Sequence, residues 1–224
     1  MKNIKKFLAL SLCVAIVVSA TVMGTLAYLT DQQSVANTFT VGQVDISVDE
    51  AKVNADGTKV ENADRVTENT YHLIPGQTYT KDPTMTVKAS SEEAYIRMLL
   101  KINCKSALDE IFAPDGMDLK TIFKGYDAEK WIYEKKTVDT AADTVTYEFR
   151  YKEPVEPVDI DDDEEKDDVV LEPLFASFTV PSDLDGEDLK SIGDLTITVE
   201  GHAIQRAGFD SDDDAWAAFA VQHQ

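Results

Sequence analysis

Cysteine is nearly missing from this 224-residue chain, with only Cys13, inside an apolar N-terminal run, and Cys104. Once that run is removed, a lone thiol has no internal partner. A disulfide framework is therefore excluded, and the fold must rest on its core. Cys104, in RMLLKINCKSAL, reads as a small buried hydrophobe at a strand end rather than a nucleophile or ligand. Histidine is as scarce: His72, His202 and His223, none in H-E-x-x-H or another zinc spacing. His202, in TVEGHAIQ, reads as a strand residue with a structural hydrogen bond. No Gly-rich phosphate loop occurs, and no local motif suggests a Ser/His/Asp or Cys/His order. The residues thus predict neither a catalytic centre nor a cofactor. Positive charge is short too, with 21 Lys+Arg against 42 Asp+Glu and a formal net charge of −21. Such a surface repels phosphate backbones and excludes nucleic acid as a partner. No internal repeat stands out, and no second hydrophobic span follows the N-terminal one.

That N-terminal run has three regions: a basic tip, MKNIKK; an apolar core, FLALSLCVAIVV; and a stretch of small and hydroxyl residues, SATVMGTLA. This is the layout of a secretory signal peptide. Thr25 and Ala27 supply the small side chains a signal peptidase needs for a cut between Ala27 and Tyr28, and Val18 and Ala20 offer a second choice before Thr21. The competing reading is a membrane anchor, because residues 7–29 carry no charge and are long enough to span. Ser, Thr and Gly dilute that stretch, which favours cleavage. The expected organisation is a signal peptide over 1–27, meeting the membrane only transiently, and a secreted domain over 28–224.

The secreted part reads mostly as strands. In NTFTVGQVDISV, Phe39 and Val41 alternate, then Val44, Ile46 and Val48, with Gly42 shifting the phase between the two sets. Strands are also predicted over about 83–89 and 94–103, and Pro83, which cannot donate to a ladder, places the first of them at a sheet edge. KWIYEKK and DTVTYEFRY flank TVDTAADT as a hairpin, with Val145, Tyr147 and Phe149 on one face and Thr144, Thr146, Glu148 and Arg150 on the other. LFASFTVP and LTITVEGHAIQ continue the pattern, and the alternating apolar residues of the latter predict a core position. Short helices are predicted in SALDEIF, DLKTIF, GEDLKSI and the tail, where Ser211 or Asp212 is the N-cap. Many short strands with few helices predict an all-β fold, an antiparallel β-sandwich or jelly roll.

Two acidic runs interrupt it. DIDDDEEKDD sits in a proline-flanked segment at about 153–172, and its like charges predict a solvated, disordered loop. It offers Asp161 and Asp163 to calcium, without a geometry-fixing glycine. FDSDDDAWAAFAVQ begins with the D-x-D-x-D spacing of an EF-hand loop through Asp210, Asp212 and Asp214. Ala215 stands where that loop needs Gly, and Val221 where it needs a bidentate Glu.

The seam GTLAYLTDQQSVANTFTVGQVDISV resembles the processing junction of the TasA/camelysin family of secreted surface proteins of Gram-positive bacteria. The likeness runs through Gly24, Thr25, Ala27, Tyr28, Leu29 and Asp31, then Asn37, Phe39, Gly42, Val44, Asp45 and Ile46. LIPGQTYTK also resembles that family's L-x-P-G segment, through Leu73, Pro75, Gly76, Tyr79 and Lys81. Beyond about residue 104 the resemblance fades to a strand pattern. It implies a jelly-roll domain, export, processing by a signal peptidase of the SipW type, and assembly into biofilm fibres. In such fibres the N-terminal segment of one subunit completes the sheet of the next. The partners expected from it are further copies of the chain or related matrix subunits, with Phe39, Val41, Val44, Ile46 and Val48 as the assembly strand. Two other functions stay open on the sequence. Some camelysin-like members are called metalloproteases, a label no zinc motif supports here, and the acidic runs leave a calcium-binding surface adhesin.

Overall fold

A computed structural model describes residues 43–112, 122–193 and 195–222. The strands are β1 (Ile46–Asp49), β2 (Thr78–Thr80), β3 (Thr84–Val87), β4 (Ala94–Ile102), β5 (Phe123–Lys124), β6 (Trp131–Asp139), β7 (Thr144–Tyr151), β8 (Val169–Val170), β9 (Ser177–Thr179) and β10 (Ile197–Gln205). The helices are α1 (Lys105–Phe112), α2 (Gly186–Ile192) and α3 (Asp212–Gln222). All strand pairings are antiparallel, and the fold is the expected all-β sandwich.

One layer is the sheet β10-β4-β7-β6. β4 is central, between β10 and β7, and its alternation sets its faces: Ala94, Ile96, Met98, Leu100 and Ile102 are buried, and Tyr95, Arg97, Leu99 and Lys101 face the other way. β7 follows the same rule with Val145, Tyr147 and Phe149 inside. β10 pairs with β4 in unbroken register from Ile197 to Gln205 but has no second neighbour among the described residues, where it is an edge strand rather than the core strand predicted. Its inner face is half-buried, and only Ile204, on the outer face, is fully so.

The other layer consists of two short sheets, β1-β3-β8 and β2-β9-β5. They belong to one interrupted ladder. Between them the N–H of Lys81 donates to Ala176, that of Leu174 to Pro83 and that of Leu171 to Met85. Five residues lie between Thr80 and Thr86, but six lie between their partners Val170 and Ser177. The return strand thus carries one extra residue, a bulge that breaks the sheet in two. Pro83 sits in this break, which is why it is tolerated ahead of β3, a central strand and not the edge predicted. Met85, Val87, Leu174, Phe175 and Phe178 close the core from this side.

Two glycines mark close approaches. Gly201 of β10 faces β1 and β3: a Cβ there would lie 2.4 Å from both Val48 Cγ2 and Met85 Cε. Gly57 holds a φ of +79°, and a Cβ there would lie 2.8 Å from the Tyr79 backbone.

Helix α1 matches the predicted SALDEIF, and its start is capped by Asp143 of the β6–β7 turn, which accepts the N–H of Ser106 at 2.8 Å. Helix α2 matches GEDLKSI, closed by a capping box between Asp185 and Asp188. DLKTIF lies largely outside the described residues, and its Phe123 is a strand residue opposite Phe178. Cys104 is half-exposed rather than buried; it turns the chain from β4 into α1 with a φ of +55°. No helix among the described residues is long and apolar enough to cross a membrane.

Candidate assembly edge and its buried polar cluster

The predicted assembly strand lies partly within the described residues. Ala27, Tyr28, Phe39 and Val41 fall outside them. Val44 packs partly buried against the core, and Ile46 and Val48 pair with Val87 and Met85 of β3 in the same chain. Among the described residues β1 has β3 as its single strand neighbour and forms the rim of its sheet. Backbone bonds extend its hold forward, from the Lys88 N–H to the Asp45 carbonyl and from the Glu92 N–H to the Gln43 carbonyl. Ser91 adds a reciprocal pair with the backbone of Asp45.

The far end of β1 is fastened by charge. The Arg65 guanidinium donates to Asp49 at 2.5 Å and to Asp82 at 3.1 Å, and also to the backbone of both and to Thr84. Next to it, Glu50 and Lys81 form a buried ion pair at 2.6 Å, with side chains 7 % and 8 % exposed. Asn69 donates to the other oxygen of Glu50 at 3.0 Å. The Tyr71 ring lies 5.8 Å from the Lys81 ammonium. Burial, with the nearby charges of Glu50 and Asp82, raises the pKa of the Tyr71 phenol, which stays protonated and donates to the Thr80 carbonyl.

These groups line a groove of about 740 Å³ between β1 and the start of β10. Val48, Tyr71, Leu195, Ile197 and Val199 supply its apolar wall. Among the described residues β1 and β10 are both rim strands, and their outer edges border the groove on two sides. The opposite rim strand, β6, is blunted by a register shift between Tyr133 and Lys135 and by the exposed Lys135 and Lys136.

A second polar cluster covers the outer face of β10-β4-β7-β6. Glu148, 6 % exposed, accepts from Arg150 at 3.0 Å, with Arg97 at 3.7 Å and Lys135 at 3.3 Å. Burial alone would raise its pKa, but the bond from Arg150 and the charges of Arg97 and Lys135 outweigh it and hold the carboxyl below its ordinary value. Arg150 also pairs with Asp212 at 2.9 Å and Asp213 at 2.6 Å, fixing the start of α3. Ser211 accepts the Asp214 N–H as the predicted N-cap. The Arg97 guanidinium lies 4.3 Å from the Trp216 ring centroid, and His202 accepts from Arg97 and stacks on Phe219. His202 thus holds the structural role read from the sequence.

Of the predicted calcium candidates, Asp212 is engaged by Arg150 and Asp214 takes part in the helix cap, accepting the Ser211 hydroxyl. Asp161 is brought together with Asp159 and Asp167, their carboxylate oxygens all within 4.8 Å; Asp163 and Asp210 are not part of that group. Asp159 instead caps its own loop through the N–H groups of Asp162 and Glu164.

Most of this geometry is built from the N-terminal half, and that half is where a family model matches. Residues 3–104 match the camelysin metallo-endopeptidase family. The match spans the junction motif, β1, the Glu50–Lys81 pair and β4. No curated protein and no solved structure shows a significant match to the chain. The camelysin description implies a catalytic metal, so the fit of the residues matters. His202 is committed to Arg97 and Phe219, and His72 joins no group of converging ligands among the described residues. The gathered Asp159, Asp161 and Asp167 offer only hard carboxylate oxygens, which suit calcium better than the imidazole-rich set of a zinc hydrolase. The described residues do not gather the imidazole-rich set of a zinc endopeptidase, and no step is derived through such a metal.

Proposed function

We propose that the chain is a secreted structural protein of the cell surface or biofilm matrix, exported by a signal peptide cut between Ala27 and Tyr28, that self-assembles through its N-terminal strand. The observation that carries this reading is the position of β1. It lies at a sheet rim beside an apolar groove, and the segment leading into it comes from the new N-terminus. Ile46 and Val48 are seated in their own sandwich, so the exchange is assigned to the segment before them, with Phe39 and Val41 as its apolar anchors. Such a segment pairs with a neighbour's rim by main-chain hydrogen bonds, its alternate side chains filling the groove. The family match over residues 3–104 supports export of this kind.

The test compares protein beginning at Tyr28 with protein beginning at Gln43, which keeps every described strand. Electron microscopy should show filaments of the first and none of the second, with matching circular dichroism. Filaments from both would move assembly away from the N-terminal segment. Their absence from both, also in the presence of related matrix subunits, would end the fibre reading.

A further inference from the structure

The cluster at Glu50 has the parts of a self-acting cross-link, independent of assembly. One carboxylate bridges an amine and a carboxamide: Lys81 Nζ donates to Oε2 at 2.6 Å, and Asn69 Nδ2 to Oε1 at 3.0 Å. Asn69 Nδ2 also donates to the Ala51 carbonyl at 2.9 Å, and Asn69 Oδ1 accepts the Val53 N–H at 3.0 Å. Lys81 and Glu50 are both more than nine-tenths buried, beside the Tyr71 ring. We propose that Lys81 and Asn69 join in an intramolecular isopeptide bond, with Glu50 carrying the protons.

The chemistry balances without any added reagent. A proton passes from the Lys81 ammonium to Glu50 along their short hydrogen bond. This transfer frees the amine lone pair and leaves a proton on Glu50. The amine lone pair forms a bond to Asn69 Cγ, and the carbonyl electrons move onto Oδ1, where the Val53 N–H already points. When that carbonyl re-forms, the Cγ–Nδ2 bond breaks. The departing nitrogen takes the proton shed by the attacking nitrogen and the one held on Glu50. It leaves as ammonium and restores the carboxylate. Nδ2 is bonded to Glu50 before the reaction, so the proton donor is in place at the leaving group. The link closes residues 69–81 into a ring and pins the loop under the groove to the chain between β2 and β3. No disulfide occurs among the described residues, and the link supplies a covalent tie that reductants cannot break.

Tryptic mass spectrometry of the protein recovered from expressing cells reads this directly. An acylated Lys81 resists trypsin, so Val66–Lys88 should appear as one fragment, lighter by one ammonia, about 17 Da. Glu50→Gln should give full-mass fragments with cleavage after Lys81. Lys81→Arg, which keeps a cation against Glu50, should also give full mass while holding the wild-type circular dichroism. Wild-type protein of unreduced mass, cleaved after Lys81, overturns the proposal. So does a 17 Da loss confined to the fragment ending at Lys81, which marks a succinimide at Asn69 rather than a link. A link that persists in Glu50→Gln overturns the proton-carrying role.

Discussion

Replacing Gly201 by alanine asks whether β1 is seated in its own sandwich in solution. On conformational grounds alone the change should stabilise the protein, because alanine in a strand loses less backbone freedom than glycine, worth about 0.5–1 kcal/mol. The packing reverses that sign. The new methyl lies 2.4 Å from Val48 Cγ2 and from Met85 Cε, far inside the roughly 3.5–4.0 Å of ordinary carbon contact. Met85 Cε ends a flexible side chain and can swing away. Val48 is branched at Cβ and stiff, so β1 itself must move. Overpacking of this kind costs about 1–3 kcal/mol, larger than the entropic gain. With a urea slope of about 1–3 kcal/mol per molar, the unfolding midpoint should fall by several tenths of a molar or more. Val48→Ala removes the clashing methyls, so the double variant should be less destabilised than the sum of the singles by at least about 0.5 kcal/mol. A Gly201→Ala protein as stable as wild type, or strict additivity with Val48→Ala, would refute the seating of β1 on β10.

Other consequences follow from the outer polar cluster and the acidic loop. Glu148→Gln leaves Arg97 and Arg150 buried without their shared carboxylate and should cost about 3–5 kcal/mol in urea unfolding; a loss below 1 kcal/mol would mean the cluster is solvated. The folded pKa of Glu148 lies below its unfolded value, so its stabilisation is complete above the unfolded value and disappears as pH falls through the folded one. Melting temperature should therefore drop on acidification below about pH 4.5 more steeply in wild type than in Glu148→Gln. Ser211→Ala removes the N-cap of α3 and should cost about 1 kcal/mol, with a changed near-ultraviolet signal from Trp216. Asp161→Asn together with Asp163→Asn should change calcium-free stability by no more than about 0.5 kcal/mol, as expected for a solvated loop. Calorimetric calcium binding tighter than millimolar in the parent would contradict that reading.

Periodicity made the central strands readable. In β4 and β7 the apolar residues recur at every second position, and the two faces expected for β7 came out with Val145, Tyr147 and Phe149 inside. β10 has the same alternation but ends at a rim, since sequence period reports which face is buried and not how many neighbours pair. Pro83 misled for a related reason: it does avoid the ladder, yet through a break inside the layer rather than at an edge. The cap of α3 was legible from Ser211 followed by three aspartates, because that cap is local chemistry; the cap of α1 was not, since Asp143 comes from a distant turn. The Glu50–Lys81–Asn69 cluster was not. Its members are 31 and 19 residues apart from Glu50, and none carries a local signature. The one available hint was Lys81 as the last residue of the L-x-P-G segment, a lysine too near apolar strand sequence to be fully solvated.

The family match ends at residue 104, within two residues of the end of β4. It therefore contains β1 to β4, the groove's polar floor and the segment leading into β1, but neither neighbour of β4, since β7 and β10 both come from later in the chain. Without them, Ile96, Met98, Leu100 and Ile102 would lose the strands that hold their sheet, and the outward Arg97 would lose Glu148, Trp216 and Phe219. The C-terminal half completes that layer through strand alternation on the inner face and a polar latch on the outer one. Within the matched residues the L-x-P-G segment carries particular contacts, Tyr79 against Gly57 and Lys81 against Glu50, whereas the later strands require only an alternating pattern on their inner face.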